Sequence, residues 1–271
     1  MNQPITPVAI VTGASSGIGR ATANALQKAR YRVFGTSRRA VSQRADDVTM
    51  LACDVTDGAS VATLVTDVLT TAGRIDLLVN NAGLGLVGAT EESSIAQAQA
   101  LFDVNVFGVI RVTNAVLPVM RRQGSGRIVN VSSVLGFIPA PYSALYASTK
   151  HAIEGYSESL DHELRSLGVR AVLVEPAYTR TSFEENLTRP DQMLDVYASA
   201  RASVGVALQN AVATGDTPGT VATTILKAAS ASVPKARHTA GKMARNVSLL
   251  RRFVPQAAFD KSLRKQNGLP A

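Results

Sequence analysis

The sequence predicts an α/β fold: a single domain with a doubly wound parallel sheet, helices on both faces and a helical extension at the C-terminal end. Three observations carry that expectation. Six short apolar runs rich in Val, Ile and Leu recur along the chain with apolar residues on both alternating faces, as strands covered on both sides by helices require. Segments of helical length separate them, and such alternation specifies parallel strands joined by right-handed crossovers. The first run ends in a glycine-rich turn, at the strand end where open sheets of this kind bind ligands.

Taken in order, "VAIVTG" (8 to 13) is the first strand and 17 to 29 the first helix. "YRVFGTSR" (31 to 38) and "VTMLACDV" (48 to 55) follow as strands, then a helix over 57 to 72. "IDLLVNNAG" (75 to 83) is the fourth strand, and 91 to 122 is expected as one long helix. "GRIVNVSS" (126 to 133), a helix over 143 to 166 and "VRAVLVEPA" (169 to 177) complete the alternating pattern. Residues 182 to 216 then form a lid with an apolar side made of Phe183, Leu187, Met193, Leu194, Val196 and Tyr197. That side hints at a hydrophobic alcohol or ketone as substrate, and lids of this kind move.

With 271 residues and 46% hydrophobic content the chain can bury a full core. No apolar run reaches the roughly 18 residues of a membrane span, and the start lacks the pattern of a secretory signal. The lone Cys53 agrees with a reducing compartment, so a cytoplasmic location is expected. His151, His162 and His238 have no cysteine or carboxylate cluster at ligand spacing, and no metal site is expected. The net charge of +8 resides in residues 235–271, which hold nine Lys or Arg against Asp260 alone. Around these cations the sequence reads as one or two short amphipathic helices, with Leu249, Leu250, Phe253, Phe259 and Leu263 as the buried side. A solvated basic face is the default reading; an anionic substrate, an acidic membrane or nucleic acid are the alternatives. No nucleic-acid-binding motif is present, and no nucleic-acid partner is expected.

The chemistry lies at the strand ends. "TGASSGIG" (12 to 19) places Gly13, Gly17 and Gly19, with Ser15, Ser16 and Ile18, in the turn before the first helix. Glycine there permits positive φ and close backbone approach, and the helix start offers unpaired N–H groups to a pyrophosphate. At the second strand end Ser37 stands where many NAD-binding folds carry a carboxylate, and Arg38 and Arg39 follow. Guanidinium groups match a ribose 2′-phosphate, so NADP(H) is favoured over NAD(H). Tyr142, Tyr146 and Lys150 lie four apart in "PYSALYASTK", which on a helix puts them nearly on one face.

Together these residues resemble the classical short-chain dehydrogenase/reductases over about positions 5 to 185. The resemblance rests on "TGASSGIG", "CDV" (53 to 55), "NNAG" (80 to 83), Asn105 in "FDVNVFG", "NVSSVLG" (130 to 136), "YASTK" (146 to 150) and "EPAYTRT" (175 to 181), in family order. The text from Lys150 to Ala177 looks most like the 17β-hydroxysteroid and retinol dehydrogenase branch. The resemblance implies a Rossmann-type domain, a small-molecule carbonyl or alcohol substrate, and association as a homodimer or homotetramer through the helices at 91 to 122 and 143 to 166. It implies Asp54 near the adenine, Asn80, Ala82 and Gly83 shaping the cofactor cleft, and Thr181 near the nicotinamide carboxamide. Val55, Asn81, Pro176, Ala177 and Thr179 belong to the same cleft on this reading. The family often has Pro-Gly where this chain has Pro176-Ala177; if φ is positive there, alanine carries strain of order 1 kcal/mol.

Only Tyr146 has the lysine of the family's Tyr-x-x-x-Lys, and Ser133 stands thirteen residues before it. The resemblance therefore implies Tyr146 as acid/base, Ser133 as its partner on the substrate oxygen, Lys150 as the cation that also holds the ribose, and Asn105 as anchor of a water chain to Lys150. Tyr142 then lines the substrate pocket beside Ser133, Tyr146 and Phe183, or packs at the helix start. A phenol near pKa ~10 must come down by about 3, roughly 4 kcal/mol, to accept a proton near neutrality. An ammonium at about 4 Å in an effective dielectric near 20 supplies about that much. The alternative is a dinucleotide-sensing protein that binds without reacting, which has no need of the Ser133, Tyr146 and Lys150 set.

Overall fold

The computed structural model describes residues 6–39, 48–183 and 187–270. The first half of its sheet comprises β1 (Val8–Val11), β2 (Arg32–Ser37) and β3 (Thr49–Ala52), with helices α1 (Gly17–Lys28) and α2 (Gly58–Ala72). The second half comprises β4 (Leu77–Asn80), β5 (Gly126–Val131), β6 (Val169–Pro176) and β7 (Arg237–Ala240). Helices α3 (Ile95–Phe102) and α4 (Gly108–Gln123) connect β4 to β5, and α5 (Ala144–Leu164) connects β5 to β6. The chain from β6 to β7 carries α6 (Ala198–Ala213) and α7 (Pro218–Ser230), and α8 (Gly241–Phe253) and α9 (Gln256–Gln266) close it.

All seven strands are parallel, in the order β3-β2-β1-β4-β5-β6-β7. Alternation along each strand divides the core into two layers. Ile10, Phe34, Leu78 and Ile128 face α2, α4 and the end of α5 through Leu64, Val68, Val116, Met120 and Leu160. Their neighbours Val11, Val33, Val79, Val129 and Val172 face α1 and α7 through Leu26, Val221 and Ile225. Helix ends follow local chemistry: Asp57 caps α2 by accepting from the Ala59 N–H (2.9 Å), and Gly73 at φ +71° stops it in the left-handed region.

Four features depart from the sequence reading. The expected helix over 91 to 122 is a short turn at Thr90–Glu92, then α3, a wide π-turn at Asp103–Phe107, and α4. The run Ile95–Gln123 is long and apolar enough to cross a membrane by length and composition, yet Leu101, Val109, Val112, Val116 and Met120 are buried in the protein. A seventh strand, β7, stands inside the basic extension, because "RHTA" completes the edge that β6 leaves open. In α8, Leu249, Leu250 and Phe253 face outward, with Phe253 72% exposed; Ala244 and Val247 supply the inward side instead, together with Phe259 of α9. The apolar residues of the extension are thus split between two surfaces.

The expected lid is anchored as well as apolar, although its residues 184–186 lie outside the described ones. Buried Glu92 accepts from the Leu194 N–H (2.8 Å) and pairs with Arg201, and Thr188 N–H donates to the Gly85 carbonyl (2.8 Å). Met193 and Val196 are exposed, whereas Phe183 and Leu187 reach the cleft described below.

The end of α5 is tied to β6 through a single carboxylate. Asp161, 1% exposed, accepts from Arg165 Nη2 (2.6 Å), Arg170 Nε (2.7 Å) and the Ala171 N–H (3.0 Å). Burial pushes this carboxyl up, but the bonds from Arg170 and Arg165 more than reverse that and hold it below its usual range. Its stabilising contribution is therefore complete above the unfolded-state value and disappears as pH falls through the lower folded-state value. Replacing Asp161 with Ala leaves two guanidinium groups uncompensated, and urea unfolding at neutral pH is expected to show a loss of about 3 kcal/mol that shrinks in acid.

Candidate active site

A cleft of about 740 Å³ opens beyond the carboxyl ends of β1, β4, β5 and β6, where strand order reverses between β1 and β4. Thr12 Oγ1 accepts from the N–H groups of Asn81 (2.9 Å) and Ala82 (3.0 Å), and Asn81 Nδ2 donates to the carbonyls of Thr12 (3.0 Å) and Gly13 (3.2 Å). This clasp presses the glycine turn onto residues 81 and 82. Gly13 has φ +67°, and a Cβ on it would stand 2.9 Å from Ala82 Cα; one on Gly19 would collide with the Gly13 carbonyl. Gly19 is thus a packing residue behind the cleft, while Gly13, Ser15, Ser16, Gly17 and Ile18 line it. The Ser16 side chain leaves the first turn of α1 uncapped, so amide donors and the positive helix end face the cleft, a fit for a phosphate group.

Ser37, Arg38, Asp54 and Val55 form the neighbouring wall. Asp54 accepts from the Thr56 N–H (2.9 Å) and hydroxyl (2.8 Å), and these bonds, with Arg38 contributing, hold its carboxyl below the usual range. Arg39 is exposed outside the lining, and its carbonyl accepts from Ser37 Oγ. Asn80 also lies off the cleft: its Nδ2 donates to Asn130 Oδ1 (2.9 Å) and Thr113 Oγ1 (3.1 Å) inside the core, while Asn81, Ala82 and Gly83 form the rim.

Ser133 stands two residues beyond β5, and Tyr146 and Lys150 stand one turn apart on α5, all three on the cleft wall. The Ser133 hydroxyl faces the Tyr146 phenol, and Lys150 Nζ lies 5.6 Å from the phenol ring centroid while donating to the Val131 carbonyl (3.0 Å). The expected lowering of the phenol is not what dominates here. Burial raises Tyr146, with the Ser133 hydroxyl opposing, because a phenolate loses more solvation than a phenol on enclosure. Burial likewise pushes Lys150 down to about 8, and Glu154 opposes that fall.

Asn105 sits behind the cleft, in the π-turn. Its Oδ1 accepts from the Leu84 N–H (2.8 Å), and its Nδ2 donates to the Leu84 carbonyl (2.8 Å) and Thr149 Oγ1 (3.2 Å). The amide therefore bolts the β4 exit to the residue before Lys150. Tyr142 is also apart from the cleft. It precedes α5 with φ +60°, so the three-residue helix face shrinks to two, and its ring meets Tyr197 edge-on at 6.2 Å. Pro176, Ala177, Thr179 and Thr181 line the cleft. Among the described residues only Arg30 and Tyr142 are non-glycine with positive φ, so Ala177 carries none of the strain a glycine requirement would bring.

Phe183 covers the phenol, with ring centroids 6.1 Å apart. The lining also includes Leu187, expected on the apolar side of the lid, and Leu84 and Leu86, Val204 and Leu208 of α6, and Asn267 after α9, which were missed from sequence as site residues. The apolar stretch "LGLVG" after "NNAG" was a usable signal for Leu84 and Leu86; nothing local marks Asn267.

Beneath Lys150 lies an ionic set whose inner members are buried. Arg237 of β7 donates through Nη1 to Glu154 and to Glu175 Oε1 (2.9 Å), and through Nε to Glu158 Oε1 (2.7 Å). Glu154 and Glu175 are both buried, and burial followed by their mutual repulsion pushes the Glu175 carboxyl up. The folded state then holds a proton more tightly than the unfolded chain, so this site favours folding in acid and loses that advantage as pH rises above the ordinary glutamate value. The melting temperature of Glu175→Gln is expected to fall less than that of the parent between roughly pH 5 and 8, as followed by calorimetry.

Comparisons with known proteins agree with this geometry. The family model described as short chain dehydrogenase matches residues 7–192. The chain is 40% identical over 179 residues to a 3-ketodihydrosphingosine reductase of Bacteroides thetaiotaomicron, a match covering 66% of each chain. It is 34% identical over 276 residues to the uncharacterized oxidoreductase YusZ of Bacillus subtilis, covering 96% of this chain and 98% of that one. Human retinol dehydrogenase 8 is 39% identical over 191 residues, covering 66% of this chain and 60% of its own. A short-chain dehydrogenase from Streptomyces avermitilis superposes with a TM-score of 0.85 at 33% identity, over 98% and 99% of the two chains. One from Burkholderia phymatum, solved in complex with NAD, gives 0.79 at 28% over 97% of each, and ElxO, solved with NADP bound, gives 0.73 at 25% over 87% and 97%. Fold, cleft and family model converge: the chain belongs to the short-chain dehydrogenase family and is an oxidoreductase of that family.

Proposed function

We propose that the protein is an NADP(H)-dependent oxidoreductase that interconverts a carbonyl and an alcohol, acting on a hydrophobic ketone, aldehyde or secondary alcohol. The observation that carries this reading is the meeting of the Ser133 hydroxyl, the Tyr146 phenol and the Lys150 ammonium on one wall of the cleft that the glycine turn opens. Gly13, Ser15, Ser16, Gly17 and Ile18 would hold the pyrophosphate, Ser37 and Arg38 the 2′-phosphate, Asp54 and Val55 the adenine, and Thr179 and Thr181 the nicotinamide end. When bound, the dinucleotide supplies the hydride donor or acceptor.

The chain's own residues manage the proton and the developing charge. Tyr146 holds the proton that a carbonyl oxygen takes as it is reduced, and its burial keeps it in the neutral, donating form. Ser133 donates a second hydrogen bond to the same oxygen, stabilising charge where it develops. Lys150 keeps its charge at neutral pH and favours the phenolate that alcohol oxidation requires. Leu84, Leu86, Phe183, Leu187, Val204 and Leu208 give the substrate end an apolar wall, which favours an apolar substrate. Ile95 and Phe107, 75% and 54% exposed on the α3–α4 run, support association as a homodimer or homotetramer, and the lone buried Cys53 supports work in the cytoplasm.

Tyr146→Phe is expected to abolish turnover of every ketone, aldehyde and alcohol in a panel while dinucleotide titration by fluorescence stays unchanged; retained turnover refutes the assignment. Arg38→Ala is expected to raise KM for NADPH roughly tenfold, about 1.4 kcal/mol, and to leave that for NADH in place. Arg39→Ala, outside the cleft, should change neither. A parent enzyme that consumes NADH in strong preference to NADPH would refute the cofactor reading.

A further inference from the structure

The outward side of α8 brings exposed apolar side chains and cations together. Its inward side is Ala244 and Val247, packed on Val134 and Ile138 at the cleft wall. At 100° per residue, Leu249 and Phe253 fall opposite Ala244 and Leu250 and Met243 on the flank toward Val247; Met243, Leu249, Leu250 and Phe253 are 36%, 47%, 50% and 72% exposed. Lys242, Arg245 and Arg252 stand exposed among and beside them, with Lys261 and Lys265 of α9 nearby in sequence. Among the described residues none of these five cations is ion-paired, and the Arg252 guanidinium lies 5.5 Å from the Phe253 ring centroid. Residues 235–271 carry nine Lys or Arg and a single acid.

Exposed apolar residues scattered singly are ordinary, but several on one helix face bordered by unpaired cations form the pattern of an interfacial helix. We propose that α8, with α9 beside it, docks this protein on an anionic lipid bilayer, Leu249, Leu250 and Phe253 entering the headgroup boundary and Lys242, Arg245 and Arg252 meeting lipid phosphates. Charge complementarity selects this occupant. A second copy seated on the same face by a two-fold axis would bring like charges together. A nucleic acid would meet the cations and leave Leu249 and Leu250 against a hydrated backbone. The docking does not depend on the reaction proposed above.

The test is flotation of the full-length protein with vesicles of phosphatidylcholine alone or mixed with phosphatidylglycerol. Retention on the mixed vesicles is expected to exceed that on phosphatidylcholine by roughly tenfold and to fall as salt rises. Arg245→Gln with Arg252→Gln, and separately Leu249→Gln with Phe253→Gln, should each lower it by roughly tenfold, with melting temperature unchanged because all four side chains are exposed. The chain has no tryptophan, so Phe253→Trp supplies a single indole reporter whose emission should shift to the blue on mixed vesicles only. Equal retention on both vesicles, retention indifferent to these variants, or an unshifted indole emission in the Phe253→Trp variant overturns the proposal. So does light scattering that shows a dimer split by the apolar pair without vesicle binding, or retention on duplex DNA in place of lipid.

Discussion

One hydroxyl holds the cleft open in its working shape. Thr12 leaves the end of β1 and accepts amide protons from the first two residues beyond β4, at the point where the sheet's order reverses. Asn81 answers by donating to the backbone of Thr12 and Gly13. These four bonds use polar groups that a buried strand end must satisfy anyway, and they join the two halves of the sheet across the crevice. The tight fit of Gly13 on Ala82 and of Gly19 behind Gly13 follows from that closure. Glycine at these two positions is a consequence of the clasp before it is an adaptation to any ligand.

The electrostatics of the cleft are governed by desolvation as much as by charge pairing. A phenol and an ammonium brought under the same cover are each pushed toward neutrality, the phenol upward and the ammonium downward. The arithmetic that sets an ammonium at about 4 Å against the phenol's ordinary acidity counts the attraction and leaves out the enclosure. Glu154, one helical turn beyond Lys150, restores part of the ammonium's preference for charge, and Arg237 in turn neutralises Glu154. The proton-handling residues thus rest on a chain of alternating charges that reaches the last strand.

What was legible in the sequence is what local rules determine. Period-two apolar runs covered on both sides, glycines at a strand end and a serine, tyrosine and lysine at fixed spacing all map directly onto the strands, the turn and the cleft wall. What escaped was set by tertiary context. "RHTA" is too short and too polar to announce a strand, and becomes one because β6 presents an unsatisfied edge. The π-turn at Asp103–Phe107 leaves the apolar pattern of a continuous helix almost intact while turning Asn105 toward Leu84. Tyr142 has helical spacing from Tyr146 but lies two residues before the helix, in the left-handed region. The apolar residues of α8 were assigned inward because amphipathicity says that a face exists without saying which surface it meets.

Because β7 sits at the start of the basic C-terminal stretch, that stretch cannot be removed whole without opening the sheet. Cutting the chain before Arg237 would strip an edge from the sheet and leave Glu154 and Glu175 facing each other in the interior without a counter-ion. The damage would be felt at Lys150, far in sequence from the cut. Positive charge in this protein therefore has two separable placements, one inward and one outward, and side-chain replacement on the outer helices changes the second while sparing the first.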